Sequence, residues 1–191
     1  MNFESYHYID EGIKDQLKSG AITLATATAL NAANLDPIEL YNQIADHEGV
    51  VQQAYVDSTG HKTIGIGFNL DDASNIKKLE KIGVSVEDLL SGKQLSDSEI
   101  KTLYNISISQ AYRDAKTFLP DLESHPSDVQ KAVVDMSFNL GLTRLLKFKQ
   151  VRQALFQRNY RKAADEMLNS LWAKQTGRRA QKLANMVRNA T

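Results

Sequence analysis

A glutamate, an aspartate and a threonine stand at positions 48, 57 and 63, inside a run of residues from His47 to Gly67. Two carboxyl groups presented from opposite sides can bracket a glycosidic bond. One stays protonated and donates to the leaving oxygen, while the other stays ionised and activates a water on the far face of the sugar. Taken singly, Glu48 reads equally well as a solvated helix-end residue and Asp57 as a turn residue. Thr63 alone reads as an ordinary β-branched strand position. The flanking residues make the run specific.

Each of the three needs an element to position it. Asp36-Pro37-Ile38-Glu39 is a strong helix start, with an N-cap carboxylate, a proline suited to the first turn and a glutamate completing a capping-box pattern. The helix is expected to run to His47-Glu48, with Ile38, Tyr41 and Ile44 on one face. Gly49 stops it, because glycine readily takes the left-handed cap conformation. Ala54-Tyr55-Val56-Asp57 is strand-like, Ser58-Thr59-Gly60 is a turn, and Thr63 to Phe68 returns as a second strand. In that second strand Gly65 and Gly67 strip one face of side chains, so a backbone or a ligand can approach closely.

The segment resembles the active-site region of the T-even phage lysozymes, muramidases of glycoside hydrolase family 24. The matching residues are Glu48, Gly49, Tyr55, Asp57, Gly60, Thr63, Ile64, Gly65, Ile66 and Gly67. The resemblance resumes in the run Ala132 to Gly141, which is similar to the family's central helix. It continues through Phe148, Tyr160, Ala163-Ala164, Trp172, Gln175-Thr176 and Arg179. It implies that Glu48 is the general acid, that Asp57 is the base orienting the attacking water, and that Thr63 holds that water. It implies that Arg179 pairs with Glu48. It places Asn69, Phe138 and Asn139 at the substrate. Asn139 stands where close relatives carry glutamine. Phe68 replaces a histidine that makes a buried ion pair, so that pair should be missing. Val151 and Glu166 replace polar residues that contact substrate. Trp172 is expected in the core. The implied reaction is hydrolysis with inversion of the bond between N-acetylmuramic acid and N-acetylglucosamine in peptidoglycan, by a monomer with no cofactor.

The implied fold is α+β, mainly α, with two lobes. Residues 48–95 form a small lobe bearing the β-hairpin, 96–119 a long connecting helix opened by Ser96-Asp97-Ser98-Glu99, and 120–191 a helical lobe. Within that last lobe, Pro126-Ser127 opens a helix that Gly141 ends. Two amphipathic helices follow over Phe148–Asn159 and Tyr160–Ala173, then a final one after Gly177. Residues 1–35 form an additional helical extension without a motif.

Composition bounds the rest. A hydrophobic share of 42% and a charged share of 24% are those of an ordinary globular chain. The absence of cysteine excludes disulfides and thiolate metal sites, and the four histidines have no ligand spacing, so no metal is expected. Residues 141–191 carry 12 Lys+Arg and 2 Asp+Glu, against 11 and 21 in residues 1–140. Such asymmetry suits an anionic partner for the C-terminal part. With no nucleic-acid reading motif there, the cell wall is the expected partner and nucleic acid is not. The N-terminus lacks a basic, apolar leader and the run from Ala21 to Leu30 is too short to span a bilayer. The expectation is synthesis in the host cytoplasm and action on the wall after release by a holin or another export partner. Alternatives on the same fold are a secreted or tail-associated wall-degrading effector, and a non-catalytic peptidoglycan-binding module.

Overall fold

The computed structural model describes Leu30, residues 35–56 and residues 60–191. Asp57 lies outside the described residues, as does the expected extension over residues 1–35 apart from Leu30 and Leu35. The chain is mainly α, with a small three-stranded antiparallel sheet in the order β1-β2-β3. It forms two compact units, the first holding Leu30 and residues 36–107 and the second Leu35 and residues 108–191 among those described.

In the first unit, α1 (Pro37–Glu48) begins where the capping pattern predicts. The Asp36 carboxylate accepts the Glu39 amide at 3.3 Å and the Asp36 carbonyl accepts that of Leu40 at 3.1 Å. Leu40 and Ile44, one turn apart, are fully buried. Tyr41 meets Tyr104 edge-on, with ring centroids 4.8 Å apart. Gly49, at φ +74, closes the helix by donating to the Ala45 carbonyl at 2.9 Å.

The hairpin differs from its expected two strands. β1 (Val51–Val56) pairs with β2 (Lys62–Gly65), and a turn at Ile66-Gly67 then opens a third strand, β3 (Phe68–Asn69). Gly65 and Gly67 both sit at φ +65, a left-handed backbone that most L-residues avoid, so the strand breaks there. Ile64, Ile66, Phe68 and Leu70 are nonetheless all buried. Two short helices follow, α2 (Ala73–Lys81), capped by the Asp72 carboxylate, and α3 (Val86–Leu90), capped by the Ser85 hydroxyl. Leu79 and Leu89 anchor them in the core. The Leu95 amide then donates to the Gln52 carbonyl at 2.8 Å, tying this segment back to β1.

The helix α4 (Asp97–Phe118) begins with a reciprocal cap. The Glu99 carboxylate accepts the Ser96 amide at 2.7 Å and the Ser96 hydroxyl accepts the Glu99 amide at 3.2 Å. Ser107 in this helix ends the first unit and Ile108 begins the second.

The second unit continues with α5 (Ser127–Leu145), α6 (Lys149–Phe156), α7 (Tyr160–Leu168), α8 (Leu171–Thr176) and α9 (Arg178–Arg188). The expected Tyr160–Ala173 helix is thus two helices, because the Ser170 hydroxyl starts a new one by accepting the Ala173 amide at 3.0 Å. Helix α9 packs on α7 and on α5. Ala163, Ala164, Ala180 and Ala184 are fully buried, and their small side chains suit close helix approach. Leu155, Leu183 and Val187 fill the space around them.

Candidate active site

Glu48 is the last residue of α1 and is half-buried. The helix ends there because Gly49 follows, so the carboxyl projects from a terminus rather than from a packed turn. Thr63 lies in β2, opposite Tyr55 on β1 and Asn69 on β3. It is only 4% exposed, and its hydroxyl points back to the His61 carbonyl at 3.4 Å. The flank of this strand is braced from the far side. The Asp71 carboxylate accepts the Lys62 amide at 3.1 Å and lies 3.3 Å from His61 Nδ1. Asn69 is engaged locally, its side-chain oxygen accepting the Asp71 amide at 2.7 Å and its carbonyl accepting the Asn75 side chain at 3.1 Å. The first unit holds Glu48, Thr63 and Asn69, of which Thr63 and Asn69 are partners across β2 and β3, while Asp57 lies outside the described residues.

Phe68 is buried, and the Lys78 ammonium stands 5.8 Å from its ring centroid. An aromatic ring at this position cannot be one half of an ion pair; it offers a cation its face instead.

The second unit holds Phe138, Asn139 and Arg179. Phe138 is half-buried on α5. The Asn139 side-chain oxygen accepts the Trp172 indole N–H at 2.9 Å. Trp172 is in the core as expected, at 5% exposure, and meets Phe148 edge-on at 5.9 Å. Beside these rings is an open cavity of about 450 Å3, whose lining includes Arg144, Lys147, Lys149, Glu166 and Gln175. It is a basic rim over an aromatic wall. Val151 also lines it, although it is 2% exposed.

Arg179 is buried, and its guanidinium bonds the carboxylate of Asp135. Nε lies 2.8 Å and Nη2 2.7 Å from Asp135 Oδ1. Asp135 has no solvent exposure. Reasoning from the sequence placed Asp135 only in a core helix and gave it no role. The available signal was a lone carboxylate between Ala132-Val133-Val134 and Met136, where a buried charge requires a partner.

Among the described residues, no three His, Cys, Asp or Glu side chains gather closely enough to hold a metal ion. No described helix is long and apolar enough to cross a membrane. The chemistry on offer in the first unit is that of a carboxyl group at a helix end and a buried hydroxyl on a strand, and in the second unit that of a polar, aromatic groove.

Comparison with known proteins bears on the same segment. The sequence model of the family described as Phage lysozyme matches residues 45–190. The chain is similar to two proteins of Dictyostelium discoideum. It is 28% identical to "Probable T4-type lysozyme 1" over 156 residues, 75% of this chain and 90% of the relative. It is 30% identical to "Probable T4-type lysozyme 2" over 154 residues, again 75% and 90%. It also resembles the "Pre-baseplate central spike protein Gp5" of Enterobacteria phage T4, at 26% identity over 148 residues, which cover 73% of this chain but 26% of that protein.

Proposed function

We propose, for a chain that belongs to the phage lysozyme family and is a wall-degrading glycoside hydrolase of the lysozyme type, that it cuts the β-1,4 bond between N-acetylmuramic acid and N-acetylglucosamine with inversion. Glu48 protonates the leaving oxygen. Asp57 takes a proton from the attacking water, and the Thr63 hydroxyl orients that water. Inversion requires room for the water between the two carboxyls, a separation of roughly 6.5–9.5 Å. Arg179 pairs with Glu48 and fixes its direction, while Asp135 holds the guanidinium from behind. Asn69, Phe138 and Asn139 contact the glycan chain. No cofactor enters the reaction, and the enzyme acts as a monomer. The observation that carries this reading is Glu48 at the open end of α1, in the same unit as the strand bearing Thr63.

In this reading the protein serves host-cell lysis as a phage or prophage endolysin, reaching the wall through a membrane-permeabilising partner. The likeness to a central spike protein favours a second role on the same chemistry, a wall-cutting enzyme carried on a tail. The chemistry is tested by Glu48→Gln, which keeps shape and removes the acidic proton. Lysis of permeabilised Gram-negative cells should fall by about 10²–10⁴-fold or more, since positioned acid catalysis supplies that much. Asp57→Ala should do comparable damage. A folded Glu48→Gln protein with near wild-type lysis sinks the assignment.

A further inference from the structure

The work assigned to Glu48 depends on where its carboxyl is held. Gly67 lies in the turn between β2 and β3, at φ +65 and exposed. A Cβ placed on it would stand 2.9 Å from Cδ of Glu48 and 3.4 Å from its Cγ, and closer still to Oε2. These three atoms are the nearest heavy atoms to that position, and all belong to one side chain. Carbon atoms in ordinary contact stay about 3.5–4.0 Å apart, so the carboxyl occupies the space that any side chain at 67 would need.

Gly65, two residues earlier in the same hairpin, has the same φ of +65. A Cβ there would meet only Leu95 Cδ1, at 3.9 Å, which is normal contact. The two glycines share a left-handed φ and differ in what lies beside them.

We propose that Gly67 is a positioning residue for the reaction, its missing side chain being the seat of the Glu48 carboxyl. The inference rests on the reading of Glu48 as the general acid. The carboxyl is the far end of a flexible side chain. An alanine at 67 would therefore turn it out of its seat rather than move the hairpin. The cost falls on the reaction, beyond the strain common to both glycines. A displacement of about 1 Å in a reacting group lowers turnover by about 10²-fold.

Gly67→Ala and Gly65→Ala are compared on purified peptidoglycan, per folded molecule. Both should lose similar thermal stability, since each puts an L-residue in left-handed backbone. Gly67→Ala should lose about 100-fold in kcat with KM little changed, while Gly65→Ala keeps near wild-type kcat. The 13C resonance of the Glu48 carboxyl carbon should move in Gly67→Ala and stay in Gly65→Ala. If Gly67→Ala does not fold, Gly67→Asn carries the test, because asparagine tolerates left-handed backbone and still brings a Cβ. Equal kcat in the two alanine variants, or an unmoved Glu48 resonance, overturns the proposal. Failure of the underlying reading looks different. Glu48→Gln would then keep its lysis, while the Glu48 resonance would still respond to Gly67→Ala.

Discussion

Asp135 and Arg179 stand 44 residues apart and meet where both are buried. Removing one partner of such a buried pair costs about 3–5 kcal/mol. Asp135→Ala should lower the free energy of unfolding in urea by that amount. Asp135→Leu combined with Arg179→Met should recover much of it, since apolar replacement of a whole buried pair is often neutral. The pairing of Arg179 with a carboxylate on α5 was not legible in the sequence, because no periodicity links residues so far apart. The bond from Trp172 to Asn139, across 33 residues, was hidden for the same reason. The Glu48 region was legible because its residues sit within one short run and the local geometry follows from glycine and cap chemistry. His125 supplies a second test at this scale. Its ring is fully buried, with the Tyr160 hydroxyl 3.3 Å from Nδ1, and the Asp121 carboxylate 3.5 Å from Nε2 and the Arg158 guanidinium also against Nε2. Burial first, and the Arg158 charge second, push its pKa below the ordinary 6.5, with Asp121 partly opposing. The unfolded chain therefore binds the proton more readily than the folded one. Stability from this group is complete above about pH 6.5 and is lost as pH falls through the window beneath it. One proton limits the slope to about 1.4 kcal/mol per pH unit. His125→Gln should flatten the denaturation midpoint against pH in that window. The capping carboxylates Asp72 and Glu99 and the Lys116-paired Glu123 are held below their usual values of 3.8 or 4.5. Their losses belong to more acid solution.

Helix starts were read correctly at the two caps Asp36-Pro37-Ile38-Glu39 and Ser96-Asp97-Ser98-Glu99, and missed at Asp72 and Ser85. Breaks within an apparently continuous pattern were missed too. The alternation of Thr63 to Phe68 suits a strand, but alternation carries no information about φ, and two glycines at +65 turned one strand into two. Gly141 is the exception: it was expected to end a helix, and at φ 68 and ψ 163 it breaks α5 in two, with helical turns resuming after it. That region of backbone space is essentially reserved for glycine. Nothing lies within 4 Å of where its Cβ would be, so the cost of a substitution is backbone strain alone. Gly141→Ala should destabilise the protein by about 1–3 kcal/mol, read from the urea midpoint. Ser96→Ala, which removes one half of the α4 cap, should cost about 1 kcal/mol by the same measurement.

The family match begins at residue 45, so the chemistry proposed here needs nothing from residues 1–34. Leu30, however, is buried, and deleting residues 1–34 removes it. The truncated protein should melt at a lower temperature while its turnover on soluble wall fragments stays within a few-fold; a folded truncation unable to cleave them would assign the extension to the site. The role of that segment was not legible in the sequence, which carries no motif there. The passage of α4 from one unit into the other has a consequence for how the molecule opens. Ser107 and Ile108 are neighbours in an unbroken hydrogen-bond ladder. Releasing one unit alone would create two new helix ends at that point, each with four unmatched backbone groups. Amide hydrogen exchange along α4 should therefore slow and quicken as one block, with no step between Ser107 and Ile108. Two units with separate cores would then share a single opening reaction, and the rate at which either is exposed to proteases would be set by the pair.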